Sequence, residues 1–141
     1  MEAPIAFANS LADPTRWRIA SLVAEEALCV CELADILRLP QSTLSTHLQV
    51  MRNAELVDVE RCEKWAYYRL SRLARPLWSL MQRIFAGDLT SDSILKADRK
   101  DMASRLALRG VTECKGPRRA IPPGPPPRRN KKSNQPAHQT A

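Results

Sequence analysis

No run of 18 apolar residues occurs anywhere in this chain of 141 residues, so no membrane-spanning helix is expected. The opening Met1-Glu2-Ala3-Pro4 lacks a basic region followed by an apolar one, and no secretory signal is read there. Cysteine occurs four times, at Cys29, Cys31, Cys62 and Cys114, without the spacing of a disulfide framework. Without an export signal, such thiols are expected to stay reduced, in a cytoplasm. Histidine occurs only twice, the second time near the end of the chain. There is no phosphate-binding loop and no nucleophile with a plausible base, which speaks against an enzyme. No internal repeat is present.

What is present is a hydrophobic fraction of 44%, enough for one domain with a core of its own. The net charge of +7 has the sign of a nucleic-acid binder, but it is unevenly placed. Residues 110–141 hold seven basic residues against the single acid Glu113, whereas residues 1–109 hold 15 basic and 14 acidic ones. The body is therefore nearly neutral, and only its residue pattern can speak for DNA. Residues 116–129 are crowded with proline and arginine and can form neither helix nor sheet. The expected division is a folded domain over 1–109 and a disordered Pro/Arg/Lys-rich tail over 110–141. That tail either adds non-specific DNA affinity or merely solubilises.

Along the body, residues 4–11 suggest a marginal helix. Asp13-Pro14 then reads as N-cap and first helical residue of a helix reaching about Ala27. Arg16 and Arg18 on it are expected to be solvated or near phosphate. The stretch Leu28-Cys29-Val30-Cys31-Glu32-Leu33 leads into a helix of about eight residues ending near Arg38, followed by a turn at Leu39-Pro40. The next helix is predicted from about Gln41 to Ala54. Leu44, Leu48 and Met51 form its buried stripe. Gln41, Ser42, Thr43, Ser45, Thr46, Gln49 and Arg52 form a face of hydrogen-bonding groups without a carboxylate, suited to DNA. His47 is assigned a DNA or packing role rather than a metal. Helix, short turn and polar-faced helix together are the layout of a helix-turn-helix reader.

Leu56–Arg61 alternates with period two, and so does the aromatic Trp65–Leu70. The short Cys62-Glu63-Lys64 between them predicts a β-hairpin, the wing of a winged helix-turn-helix, with Arg61 and Lys64 near phosphates. That turn contains no Gly, Asn or Asp, so its type is open. A further helix has Pro76 in its first turn and Gly87 as its stop. Its stripes, Leu73-Leu77-Leu80-Ile84 and Trp78-Met81-Phe85, are wider than one small core requires, and a dimer interface is expected there. Residues 91–109 read as a last helix, capped by Ser91 or Asp92, with a thin apolar side of Leu95, Met102 and Leu106. The fold class is mainly α with a small β-hairpin (α+β), a homodimeric winged helix-turn-helix.

From Leu11 to about Ile84 these motifs resemble the ArsR/SmtB metalloregulatory repressors. The resemblance rests on Leu11–Arg16, Leu28–Leu33, Gln41–Leu48 and Trp65–Leu70. It implies a homodimer that binds double-stranded operator DNA when metal-free and releases it when metal binds. Members similar at Leu28–Leu33 sense arsenite or antimonite, or else cadmium and lead. This chain departs from the arsenite pattern, since Ala34 stands where a third cysteine often lies. No cysteine precedes Cys29, unlike the cadmium sensors, and residues 71–109 lack the histidines of the zinc site. The metal ligands implied are Cys29 and Cys31; a third sulfur from Cys62 or Cys114 and a two-sulfur site completed by water or a small thiol both stay open. No organic cofactor is implied.

Thiolates suit soft ions. On a regular helix, however, residues i and i+2 point about 200° apart. Shared ligation by Cys29 and Cys31 therefore requires a non-helical start or an unwound turn. Three other readings stay open. The cysteines are small buried hydrophobes; the switch is thiol oxidation, Cys29 or Cys31 pairing with Cys62 or Cys114; or the protein is a metal buffer or scaffold whose tail binds acidic partners.

Overall fold

Asp13 starts the helix that the rest packs around. A computed structural model describes residues 1–110 and Gly116. After helix α1 (Glu2–Leu11), Asp13 caps α2 (Pro14–Glu25) with its carboxylate, which accepts the Arg16 N–H at 2.9 Å. Pro14 holds the first helical position, where its missing N–H costs nothing. That backbone hydrogen bond holds the Asp13 carboxyl below its ordinary value, against a smaller opposing push from burial. Its contribution is therefore complete above the ordinary carboxylate range and is lost as pH falls through the lowered value. Asp13→Ala is expected to cost about 1 kcal/mol at neutral pH and much less in strong acid, read by urea unfolding at both pH values.

The chain continues through β1 (Leu28–Cys29), α3 (Val30–Leu37), α4 (Gln41–Asn53), β2 (Val57–Cys62) and β3 (Trp65–Leu70). Then come α5 (Arg75–Ile84), α6 (Ala86–Ser91) and α7 (Ser93–Ala107). Ile19, Leu22, Leu28, Leu33, Leu44, Leu48, Met51, Leu56 and Leu70 are all but inaccessible and meet in one core. The stripe read on α4 is thus its buried face. Between α3 and α4, Arg38 takes a left-handed φ of 56°, and Leu39 N–H returns to Ala34 O at 3.3 Å. The turn comes from this C-cap, without a glycine.

The hairpin forms as predicted, one residue tighter. Cys62 still pairs with Trp65 inside the ladder, and the turn is Glu63-Lys64, with Glu63 at φ 55°. The sheet has a third strand that periodicity did not reveal: β1 pairs antiparallel with β3, Leu28 opposite Tyr68 and Cys29 opposite Tyr67. Two residues are too few to show alternation. Gly87 does not end α5; that helix stops at Ile84, and Gly87 lies in the first turn of α6. Asp92, not Ser91, caps α7, accepting the N–H groups of Ile94 and Leu95 at 2.9 Å. Leu95 and Met102 are buried, and Leu106 packs against the core cluster that holds Met102.

Ion pairs close the thin apolar side of α7. Arg18 is not solvated as expected: its guanidinium forks onto Asp98 of α7 with two bonds of 2.7 Å. Arg99 reaches Glu25 at 2.9 Å, and Arg105 reaches Asp35 at 2.7 Å. Arg16 is likewise occupied, donating to the carbonyls of Ser10 and Asn9 at the end of α1. Among the described residues, no helix is long and apolar enough to cross a membrane. Apart from Gly110 and Gly116, the tail expected to be disordered lies outside the described residues.

Candidate nucleic-acid interface and thiol site

The second helix of the helix-turn-helix presents one polar face. Gln41, Ser42, Thr43, Ser45, Thr46, Gln49 and Arg52 are all exposed, and α4 carries no acid. Thr46 Oγ1 donates to Ser42 O at 3.2 Å, and Gln49 Nε2 to Asn53 Oδ1 at 2.8 Å, so both side chains lie along the surface. His47 is turned from that row. It is half-buried, with Nδ1 3.9 Å from Asp13 at the head of α2. At the hairpin tip Arg61 and Lys64 are exposed, and Lys64 Nζ stands 5.2 Å from the Trp65 ring centroid. Behind them, Arg69 pairs with Glu60 across the two strands.

Cys29 sits at the junction of β1 and α3. As N-cap it is extended, φ −83° and ψ 167°, while Cys31 is the second residue of the helix. This is the non-helical start that joint use of the two thiols requires. It brings Cys29 Sγ and Cys31 Sγ to 2.6 Å. Cys29 is buried and Cys31 half-buried, so approach is from the side of Cys31. Ala27, Cys29 and Tyr67 form a small cluster, against which Cys31, Cys62 and Trp65 pack. Cys114 lies outside the described residues. Among the described residues, no group of three or more His, Cys, Asp or Glu side chains stands ready to hold a metal ion. The donor set is a pair of adjacent sulfurs, which fits a soft, thiophilic centre and not a hard one.

Two residues at this site had no role in the sequence reading. Glu32 is wholly buried and accepts the Cys29 N–H at 3.0 Å, closing a capping box in which a sulfur stands where serine is usual. Arg109, just beyond α7, forks onto the same carboxylate at 2.7 and 2.9 Å. Burial pushes the Glu32 carboxyl up, but the Arg109 fork and the Cys29 N–H outweigh it and leave it below its ordinary value. The spacing Cys29-x-x-Glu32 was a usable signal for the cap. Nothing near Arg109 marks its partner.

Three strands, a helix-turn-helix and a hairpin wing define the winged helix-turn-helix class. Residues 13–59 match the family described as bacterial regulatory protein, arsR family. The arsenic resistance transcriptional regulator ArsR1 of Pseudomonas putida is 47% identical over 68 residues, 48% of this chain and 52% of that protein. A helix-turn-helix-type transcriptional regulator of Methanocaldococcus jannaschii is 38% identical over 61 residues, 43% of this chain and 68% of its own length. Among solved structures, HlyU from Vibrio cholerae superposes with a TM-score of 0.55 at 27% identity, covering 60% of this chain and 94% of its own. The chain belongs to the arsR family, a family of transcriptional regulators and not of enzymes. It spans about half the length of the first curated relatives it matches.

Proposed function

We propose that this chain is a homodimeric transcriptional repressor that binds operator DNA and releases it when arsenite or antimonite is held by Cys29 and Cys31. The observation that carries the reading is the 2.6 Å approach of the two sulfurs at the head of α3. Cys29 is anchored on the sheet opposite Tyr67, whereas Cys31 rides on α3. To hold an ion between them the sulfurs must part, and the helix end yields more readily than the paired strand. α3 packs directly on α4 through the shared core. A shift of α3 therefore disturbs the helix that reads DNA.

The dimer reading is supported by α5. Leu73, Leu77, Leu80, Ile84 and Phe85 remain 44–67% exposed, while Trp78 and Met81 pack inward. Trp78 and Met81 of one predicted stripe thus complete the core, while Phe85 joins the other stripe in leaving an apolar surface open to a second copy. The similarity to a regulator named for arsenic resistance favours arsenite among soft ions; cadmium or lead is the second choice. Thiol oxidation is a further reading, because Cys62 packs in the same cluster as Cys29 and Cys31.

Fluorescence anisotropy with labelled operator DNA tests this, adding arsenite, cadmium or peroxide in separate arms. Release by arsenite supports the proposal, and release by peroxide alone supports the oxidation reading. In the same assay, alanine at Ser45 and Thr46 should weaken specific binding by about 1–3 kcal/mol per lost base contact. Undiminished operator affinity in that double variant would move the reading face elsewhere.

A further inference from the structure

Arg109 reaches the thiol site from the far end of the fold. Besides its fork on Glu32, its Nη2 donates to Ala27 O at 2.6 Å, and its guanidinium lies 5.9 Å from the Tyr67 ring centroid. It therefore grips the backbone before Cys29, the carboxylate after Cys31 and the ring opposite Cys29 in the sheet. Gly116 covers it. A Cβ there would stand 3.0 Å from Arg109 Cδ and Nη1, and its φ of +82° is one that glycine adopts freely. The Gly116 N–H donates to Tyr67 Oη at 3.0 Å.

We propose that Arg109 is a positioning residue for the thiol pair: by pinning Glu32 it holds Cys29 extended at the N-cap, and so ties ligand capture to the seating of α7. This rests on the reading of Cys29 and Cys31 as the inducer site. The two sulfurs converge only while Cys29 stays outside the helix, because within it they would diverge by about 200°. Glu32 keeps it outside by accepting its N–H. Glu32 is itself a flexible side chain, and a planar, two-point fork fixes its rotamer better than any single contact. Such coupling is reciprocal: a ligand that favours the paired thiols also favours a seated α7.

The test uses the full chain and phenylarsine oxide, which closes on two thiols with two S–As bonds formed and one water released. Its affinity is measured for wild type, Cys31→Ser, Arg109→Gln, Arg109→Lys and Gly116→Ala, well below melting and with folding checked by circular dichroism. The rate of alkylation by iodoacetamide, which needs only one thiol, is measured alongside. Arg109→Gln and Gly116→Ala are expected to lower phenylarsine oxide affinity on the order of tenfold without slowing alkylation. Arg109→Lys, which keeps the charge but not the fork, falls between. Should Arg109→Gln fail to fold, Gly116→Ala and Arg109→Lys decide. Unchanged affinity in folded variants, even with a lowered melting temperature, would make Arg109 a purely structural residue and overturn the proposal. If Cys31→Ser binds the probe as wild type does, the site reading itself falls, and the positioning role with it.

Discussion

With serine at Cys31, the protein is expected to bind its operator normally and to stay bound at arsenite concentrations that release the wild type. The change is nearly isosteric, at a half-buried position, and neither thiol belongs to the exposed row on α4. Cys29→Ser should lose the response in the same way. It should also fold well, because Cys29 is the N-cap of α3 and serine is among the favoured N-cap residues. Loss of response together with an intact fold is therefore the outcome to look for. Operator anisotropy under arsenite titration measures the first, and urea unfolding the second. Cys62→Ser and Cys114→Ser then locate any third sulfur: whichever weakens arsenite binding supplies it. If both Cys29→Ser and Cys31→Ser still respond like wild type, the thiol pair is core filler.

The second large effect is on stability. Glu32 is completely buried, and its partner Arg109 keeps 17% of its side chain exposed. Removing Arg109 strands the buried Glu32 carboxylate, whereas removing Glu32 leaves Arg109 with Glu26 at 3.5 Å and the Ala27 carbonyl at 2.6 Å. Glu32→Leu is expected to cost about 3 kcal/mol, the lower end for a broken buried pair, because Arg109 keeps Glu26 as a partner and some solvent. The orphaned Cys29 N–H adds about 1 kcal/mol. Arg109→Leu should cost about as much as the broken pair alone, since it leaves a buried carboxylate uncompensated. The double change Glu32→Leu with Arg109→Leu should cost clearly less than the two single costs added together. Urea denaturation of the three variants measures this. Strict additivity would mean that the fork contributes nothing as a pair.

Glu32 also illustrates where sequence reading stopped. Its role as a capping partner is local, three residues from Cys29, and follows from spacing alone. Its grip on Arg109 spans 77 residues, and no periodicity encodes such a distance. The same holds for Arg18, which looked like a solvated or phosphate-facing cation until α7 brought Asp98 to it. A charged residue on a helix face reads identically whether its partner is water, phosphate or a distant carboxylate. Gly87 went astray for a different reason. Glycine ends helices through a left-handed φ, but here it has none and simply continues into α6.

By itself the sequence determined the elements whose causes lie within one or two turns. These are the Asp13-Pro14 start of α2, the Leu44-Leu48-Met51 stripe of α4, the hairpin alternation, and the need for Cys29 to leave the helix if the thiols are to meet. Each follows from short-range sterics, capping or burial of a single face, which neighbouring residues dictate. Only the tertiary structure decided that β1 joins the sheet at Tyr67, that half of the α5 apolar surface goes into the core, and that α7 is fastened to α2 and α3 by ion pairs. These depend on which surfaces meet after collapse. That choice is made by the summed burial and charge pairing of the whole chain, not by any stretch of it.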